Sequence, residues 1–370
     1  MKSDNPKAFK NWINQNTLQR LADSINSVHR PFDSSQLTSL GPLLLPLELK
    51  DRVRLIRDRL HELLPKDFPV ALAILANSQK NGQLEGFELW PYTEYIQTFG
   101  LKHSKISLQA LRELTQFFTA EFTVRPFITN NQKETLAFLK KCAVDKNVHV
   151  RRLASEGARP RLPWGERLPS LIKDPKLTTP ILELLKNDPQ LYVRKSVANH
   201  LNDVSKDHPQ VVFAVLRRWL DRTSTADRPK IQWIAHRALR TLIKNGNPQA
   251  LKILGVDTSI KIRVHGLRIN QKRFKINDTL EFSFKIFSLS KKPQKLIVDY
   301  IVHHVKAGGK TTPKVFKLKT LSLDPRHSVE VLKKHSLRPV TTRRYYAGAH
   351  RIEIQVNGKV YSEATWLLEI

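Results

Sequence analysis

One feature limits the fold of this chain more than any other: a helical segment recurs at intervals of about 40 residues. The segment Asp145–Ala154 aligns with Asp188–Val197, 43 positions later, and a third copy, Asp227–Ala238, follows at an offset of about 41. Such an interval is typical of HEAT repeats, in which helical hairpins that cannot bury their apolar faces alone stack on one another. The repeat therefore predicts an all-α solenoid over residues 1–257.

The repeats place polar residues at equivalent positions. Arg152, Glu156 and Arg159 are four and three residues apart, so they share one face of a helix. One repeat later Lys195 takes the position of Arg152, and Asp203 adds an acid nearby. This regularity favours a functional, mostly basic surface. The alternative is an ion pair on a solvated helix, worth only about a few tenths of a kcal/mol.

Two further features flank this helix. Pro160 and Pro163 are expected to end it and to stiffen a loop in which Trp164 lies among arginines. Upstream, Glu121 lies among aromatic residues just before Pro126. From the sequence alone, Glu121 is expected to be an ordinary exposed glutamate at a helix end.

The pattern changes near residue 257, where apolar residues begin to alternate with polar ones. Turn signals at Asn277-Asp278, Gly308-Gly309 and Asn357-Gly358 separate these segments. Seven or so short strands in residues 258–370 predict an antiparallel β-sandwich of the immunoglobulin type, here without cysteines. The fold class is thus multidomain α + β, with a helical solenoid followed by a sandwich.

The charge of the chain indicates a polyanionic partner. The formal net charge is +30, and half of it lies in residues 258–370, which hold 23 Lys/Arg and 8 Asp/Glu. A folded protein with this balance binds nucleic acid or an anionic membrane. The alternative is a set of dispersed, solvating lysines. The clustered candidates for phosphate contact in the sandwich are Arg268, Lys272, Arg273, Arg343 and Arg344.

Composition excludes several classes of protein. Cys142 is the single cysteine, so neither an internal disulfide framework nor a cysteine-based zinc site is expected. No apolar run approaches the roughly 18 residues of a spanning helix, and Met1 opens no signal-peptide pattern. The expected setting is the cytoplasm, beside DNA or RNA and without a membrane partner.

The segment Val148–Pro175 closely resembles the signature of AlkC-type DNA alkylation repair glycosylases, a family related to AlkD. The resemblance extends to Leu49–Arg54, Trp90–Ile96, Leu111–Ile128 and Val193–Pro209, and so covers nearly the whole helical part. Its most specific stretch is RRLASEGARPRLPW. Some members of the family carry a C-terminal immunoglobulin-like domain, and this chain is similar to those.

The resemblance implies a monomeric, monofunctional glycosylase of base excision repair, associated with the nucleoid. It would hydrolyse the N-glycosidic bond of N3-methylated bases, chiefly 3-methyladenine and also 3-methylcytosine, in duplex DNA without a metal or other cofactor. Glu156 is the first catalytic candidate and Glu121 the second. The expected lesion- or DNA-binding residues are Arg151, Arg152, Arg159, Arg161, Trp164, Arg194, Lys195 and Asp203.

The chemistry supports these assignments independently. A methylated base is already cationic, so it leaves as a neutral molecule, and the enzyme needs only to stabilise positive charge on the sugar and to supply water. Carboxylates can do both. Two other classes stay open: a non-catalytic HEAT scaffold that binds DNA or RNA, and a protein–protein adaptor, which leaves the net charge of +30 unexplained.

Overall fold

The computed structural model describes residues 8–340 and 343–370, which form two compact units. The first unit comprises the chain up to Val211 together with Ser224–Ile234, and the second comprises Val212–Thr223 together with Ala235–Ile370. The last helices therefore belong to the same compact unit as the strands. The domain boundary predicted at residue 257 stays a prediction.

The helical part of the chain ends at Ile253. None of the helices in the described ranges is long and apolar enough to span a bilayer. The α-helices are α1 (Gln15–Asn26), α2 (Ser34–Thr38), α3 (Gly41–Leu44), α4 (Leu49–Leu63), α5 (Phe68–Asn81), α6 (Trp90–Phe99), α7 (Ser104–Leu114), α8 (Val124–Asn130), α9 (Gln132–Cys142), α10 (Val148–Gly157), α11 (Pro169–Lys173), α12 (Thr179–Leu185), α13 (Leu191–Val204), α14 (Pro209–Arg222), α15 (Arg228–Ala238), α16 (Arg240–Lys244) and α17 (Pro248–Ile253).

Local sequence determines where α10 begins and which face it buries. The Asn147 side chain caps the helix by accepting hydrogen bonds from the backbone amides of His149 and Val150. Apolar residues such as Val150 and Leu153 are buried as their spacing predicts, and α10 packs against α9, α12 and α13. The predicted helix is therefore present, with its apolar face in the core.

Aspartates at the repeat turns connect successive repeats. Asp145 accepts a hydrogen bond from the backbone amide of Asn147 and another, of 2.9 Å, from Arg112 Nε. Asp188 repeats the arrangement, since it accepts from the amide of Gln190 and, at 2.6 Å, from Arg151 Nε. The aspartate of the repeat motif thus stabilises its own turn and binds an arginine of the preceding repeat.

Three sequence predictions for the helical part are wrong. The polar run 77–86 predicts a loop, but helix α5 continues to Asn81, because its polar Ser78 is buried against Tyr92, with the two hydroxyls 2.9 Å apart. The apolar spacing of residues 108–118 predicts a helix that reaches Phe118, but α7 ends at Leu114. The turn that follows carries Glu121 into the interior, where it is 7% exposed, so the expectation of an exposed glutamate fails.

The C-terminal strands form two sheets, one with the strand order β1-β3-β6 and one with the order β2-β8-β7-β4-β5. The pairs among the longer strands are antiparallel as predicted, whereas the short strand β2 pairs in parallel with β8. Alternate residues of β3, Leu280, Phe282, Phe284 and Ile286, enter the common core. The strands are β1 (Ile262–Ile269), β2 (Arg273–Lys275), β3 (Thr279–Ser288), β4 (Gln294–Val305), β5 (Thr311–Leu323), β6 (Ser328–Ser336), β7 (Gly348–Val356) and β8 (Lys359–Glu369).

Two glycines bring the end of α16 against the β7–β8 turn within the second unit. A Cβ added to Gly358, whose φ is +81°, would lie 2.3 Å from Gly246 Cα. We expect Gly358→Ala to lower the free energy of unfolding by about 2–4 kcal/mol, because it adds a backbone clash to an unfavourable φ. Denaturant unfolding of the purified variant measures this.

The control for this prediction is Gly309→Ala. Gly309 also has a positive φ, +73°, but no atom lies within 4 Å of an added Cβ. Gly309→Ala should therefore lower the free energy of unfolding by only about 1 kcal/mol, which is the cost of placing alanine in the left-handed conformation. Equal losses in the two variants would show that the contact with Gly246 does not limit this position.

Candidate active site

Five charged side chains of the first unit form a chain of alternating sign: Glu121, Arg152, Glu156, Arg159 and Asp203. Arg152 lies 3.0 Å from Glu121 and 3.6 Å from Glu156, while Arg159 lies 2.7 Å from Glu156 and 2.9 Å from Asp203. The four members other than Arg152 are at most 7% exposed. The structure therefore brings together both predicted catalytic carboxylates and three of the predicted binding residues.

Glu156 is at the centre of this chain and is fixed from both sides. Its Oε1 accepts from Arg159 Nη1, and its Oε2 accepts from the Ser196 hydroxyl at 2.6 Å. Burial alone would raise the pKa of Glu156, but Arg152, Arg159 and the Ser196 hydroxyl outweigh it, so the pKa lies below its ordinary value. Glu156 is therefore an ionised, immobile carboxylate at neutral pH.

The outer carboxylates are held in different ways. Arg152 donates to both oxygens of Glu121, at 3.0 and 3.3 Å, and its guanidinium lies 4.8 Å from the centre of the Tyr192 ring. Asp203 accepts from Arg159 and also lies 3.2 Å from Lys206 Nζ. Three carboxylates therefore face two guanidinium groups and one ammonium group, so each carboxylate has a cationic partner.

Helix α13 contributes two residues that the sequence analysis missed, Ser196 and His200, beside the predicted Asp203. Ser196, His200 and Asp203 are four and three residues apart, on one face of this helix. His200 bridges Ser155 O and the Thr178 hydroxyl, each at 3.0 Å, and burial lowers its pKa to about 4, so it is neutral. The repeat alignment that relates Arg152 to Lys195 places Asn199, not Ser196, at the position of Glu156. Counting back three and four residues along α13 from Asp203 would have identified His200 and Ser196.

Trp164, in the loop after α10, combines an exposed side chain with a rare backbone conformation. Its indole is 66% exposed and its φ is +66°, a left-handed conformation that non-glycine residues rarely adopt. Lys50 Nζ donates a 2.8 Å hydrogen bond to Trp164 O. Strained residues of this kind cluster at functional sites.

A cavity of about 120 Å³ lies behind this loop. Its aromatic wall includes Trp90 and Phe122, whose rings are 6.1 Å apart and nearly parallel, together with Trp164. Glu94 also lines it, and burial raises the pKa of this carboxyl despite Arg57 and Arg54 nearby. Residues of two segments of the sequence signature therefore line this cavity together with Trp164: Lys50, Val53 and Arg54 from one, and Trp90 and Glu94 from the other.

The other predicted binding residues of the helical part have varied surroundings. Arg161 pairs with Asp207 on the surface, at 2.8 and 2.9 Å. Arg151 binds the repeat-turn carboxylate of Asp188, and Arg194 donates to backbone carbonyls of the same turn, whereas Lys195 is exposed on α13. Contacts of these four residues with DNA stay predictions.

The predicted contact residues of the sandwich fall into two groups. Arg268 and Lys272 are exposed, and Arg273 is exposed but pairs with Glu369 at 2.8 Å. Arg343 and Arg344 lie over aromatic rings of Tyr345 and Tyr346. No group of three or more His, Cys, Asp or Glu side chains within residues 8–340 and 343–370 is arranged to hold a metal ion.

Comparison with known proteins reveals similarity along the whole chain. Residues 263–370 match the family described as "Uncharacterised protein YhaZ, C-terminal Ig-like domain". YhaZ of Bacillus subtilis (strain 168) is 38% identical over 95% of this chain and 97% of its own length. The structure of the Pseudomonas fluorescens alkylpurine DNA glycosylase AlkC, bound to DNA containing an abasic site analog, superposes with a TM-score of 0.92 at 37% identity, covering 98% of this chain and 100% of that chain. The chain therefore belongs to the AlkC family and carries a C-terminal immunoglobulin-like domain.

Proposed function

We propose that this protein is a DNA glycosylase that releases cationic alkylated bases, chiefly 3-methyladenine and also 3-methylcytosine, from duplex DNA. The observation that carries the proposal is the buried Glu156 between Arg152 and Arg159, in a chain 37% identical to the alkylpurine DNA glycosylase AlkC. A single structural ion pair explains neither the third carboxylate nor the exposed indole and left-handed backbone of Trp164 in the loop that follows α10.

The reaction is hydrolysis of the bond between the sugar C1′ and the base nitrogen. The bonding electrons move onto the base, which leaves neutral, and positive charge develops on the sugar. Glu156 stabilises that charge, and because it is already ionised and fixed by Arg159 and Ser196, little reorganisation is needed when the bond breaks. Water then adds to C1′ and loses its proton to a carboxylate.

The remaining residues of the site have supporting roles in this mechanism. Glu121, held by Arg152, is the second carboxylate that orients or deprotonates water. Asp203 fixes Arg159, which together with Arg152 binds phosphates beside the lesion. The exposed indole of Trp164 lies against the cationic base or its sugar, where a cation–π contact contributes about 0.5–2 kcal/mol.

Incubation with methylated duplex DNA tests the function directly. The expected products are free 3-methyladenine, detected by chromatography, and an abasic site, detected by strand cleavage in alkali. Tight duplex binding without release of any free base would favour the alternative function, a non-catalytic scaffold that binds nucleic acid.

The proposal extends to the sandwich, whose excess of basic residues is suited to phosphate contact. We expect the double variant Arg268→Gln/Lys272→Gln to flatten the slope of log affinity against log salt by about 1.8, or about 0.9 for each lost contact. Equilibrium binding to a duplex at several salt concentrations measures the slope. Substitution is preferable to truncation at residue 257, since α16 and α17 belong to the same compact unit as the strands.

A matched control removes the same charge from the same domain. Lys285 and Lys334 already face Glu330 and Glu281 on neighbouring strands, at 3.8 and 2.7 Å. The double variant Lys285→Gln/Lys334→Gln should therefore leave the salt slope almost unchanged. Equal slopes for the two double variants would mean that Arg268 and Lys272 make no specific phosphate contact.

A further inference from the structure

Arg125, near the start of α8, is a fully buried arginine whose hydrogen bonds all go to backbone carbonyls. Its side chain is 0% exposed. Nη1 donates to Gly157 O at 3.0 Å and to Arg159 O at 2.8 Å. Nε donates to Glu166 O at 2.7 Å, and Nη2 donates to the same oxygen. One guanidinium group therefore holds three carbonyls of a single loop.

These three carbonyls lie on both sides of the part of the loop that contains Arg159 and Trp164. Gly157 is the last residue of α10, Arg159 belongs to the chain of charges, and Glu166 is two residues after Trp164. Arg125 thus ties the start of the loop to its end across the left-handed turn at Trp164.

The fit between Arg125 and this loop is close. A Cβ added to Gly165 would lie 3.2 Å from both Cδ and Nε of Arg125, which is tighter than ordinary van der Waals contact. From the outside, Lys50 binds Trp164 O. The strained turn is therefore held by Arg125 at Gly165 and Glu166 O and by Lys50 at Trp164 O.

We infer that Arg125 is a positioning residue of the proposed glycosylase site, which fixes Arg159 and the Trp164 indole relative to Glu156. The inference rests on the proposed function, because it assigns a purpose to the loop in that reaction. Arg125 is not a catalytic residue, since its donors are used by carbonyls and it lies beneath the loop. The planar guanidinium group presents several N–H donors at fixed angles and can therefore hold three carbonyls at once. A lysine ammonium group cannot reproduce this geometry.

The structure also offers a matched control, Arg52. This arginine is 4% exposed and likewise donates only to backbone carbonyls, those of Lys10, Ile13, Leu45 and Leu47. It holds the N-terminal helices and contacts none of the charged side chains of the site. Arg52→Lys and Arg125→Lys therefore make the same chemical change in the same kind of environment. They differ in which segment of the chain loses its hydrogen bonds to the guanidinium group.

The test measures base release under single turnover at saturating enzyme, together with duplex affinity and the midpoint of thermal unfolding. We expect Arg125→Lys to lower the rate about 30- to 100-fold with duplex affinity within about threefold, since a misplacement near 1 Å can cost about 100-fold. Arg52→Lys should lose a similar amount of thermal stability and keep its rate within about threefold. Wild-type rates in Arg125→Lys, or equal losses in the two variants, would overturn the inference.

A second readout does not depend on activity. In protein labelled with 5-fluorotryptophan, the ¹⁹F resonance of Trp164 is assigned by its disappearance in Trp164→Phe. That resonance should shift or broaden in Arg125→Lys and stay in place in Arg52→Lys. An unmoved Trp164 resonance in Arg125→Lys would overturn the positioning role. Failure of the wild-type protein to release any base would instead overturn the proposed function, so the two failures are distinguishable.

Discussion

Replacing Glu156 with glutamine is expected to lower the rate of base release by about 1,000-fold and to leave duplex affinity within about threefold. Glutamine has nearly the same shape, so it keeps the contact with Ser196, but it removes the negative charge that faces the developing sugar cation. Loss of one preorganised electrostatic group or of a general base typically costs 100- to 10,000-fold. Single-turnover release of 3-methyladenine measures the effect.

The control for this variant is Glu113→Gln, which removes an exposed carboxylate on α7 that pairs with Arg112. It should keep the wild-type rate. If Glu156→Gln also keeps a near-wild-type rate, Glu156 has no part in the mechanism. If Glu121→Gln is then equally active, carboxylate stabilisation of the sugar is not how this protein works.

The pH dependence provides an independent test of the same residue. Because the pKa of Glu156 lies below its ordinary value of 4.5, the reactive anion is present at neutral pH and is lost as the pH falls through the lowered pKa. The enzymatic rate, after subtraction of spontaneous base loss, should therefore decline only below about pH 4.5. A decline beginning near pH 6 would point to another group.

The second large effect concerns the charge of the lesion. We expect the enzyme to accelerate the release of 3-methyladenine at least about 1,000-fold more than that of its uncharged isostere 3-deaza-3-methyladenine, because a neutral lesion carries no positive charge that the carboxylates can stabilise. Both rates should be divided by the spontaneous rate of loss of the same base, so that the comparison reports on the enzyme alone. Chromatography of the released base measures both.

Binding separates this explanation from selection by shape. Duplexes that carry the two lesions have almost the same shape, so a difference in affinity reports the charge alone. That difference should shrink in Glu156→Gln, which lacks the central negative charge. Equal acceleration of the two lesions by the wild-type protein would mean that shape selects the substrate.

Part of the site was predictable because three of its residues lie within about two helical turns of one another. The spacing of Arg152, Glu156 and Arg159 fixes their common face before any tertiary contact is known. The alternation of β3 likewise predicts its core face. Local periodicity carries this information, and the structure confirms the helix over Val148–Gly157.

The remaining features depend on contacts between residues distant in sequence. Glu121 meets Arg152 across 31 positions, and Arg125 meets Glu166 across 41, so no local pattern distinguishes either from an ordinary surface residue. The parallel pairing of β2 with β8 joins residues that are more than 90 positions apart in the sequence, such as Arg273 and Leu367. Family resemblance pointed to Glu121, whereas only the geometry identifies Arg125.

The division of the chain between the two units has a consequence for synthesis. The chain passes from one unit to the other three times, and α14 lies mostly in the unit completed by the last strand. About 150 residues follow α14, which at 5–20 residues per second takes the ribosome roughly 7–30 s. During that interval the unit to which most of α14 belongs is incomplete, so the buried apolar residues of this helix, such as Phe213, are not yet fully packed. Nascent chains that stall before the final strand are therefore expected to need a chaperone, even though the proposed catalytic residues have already emerged.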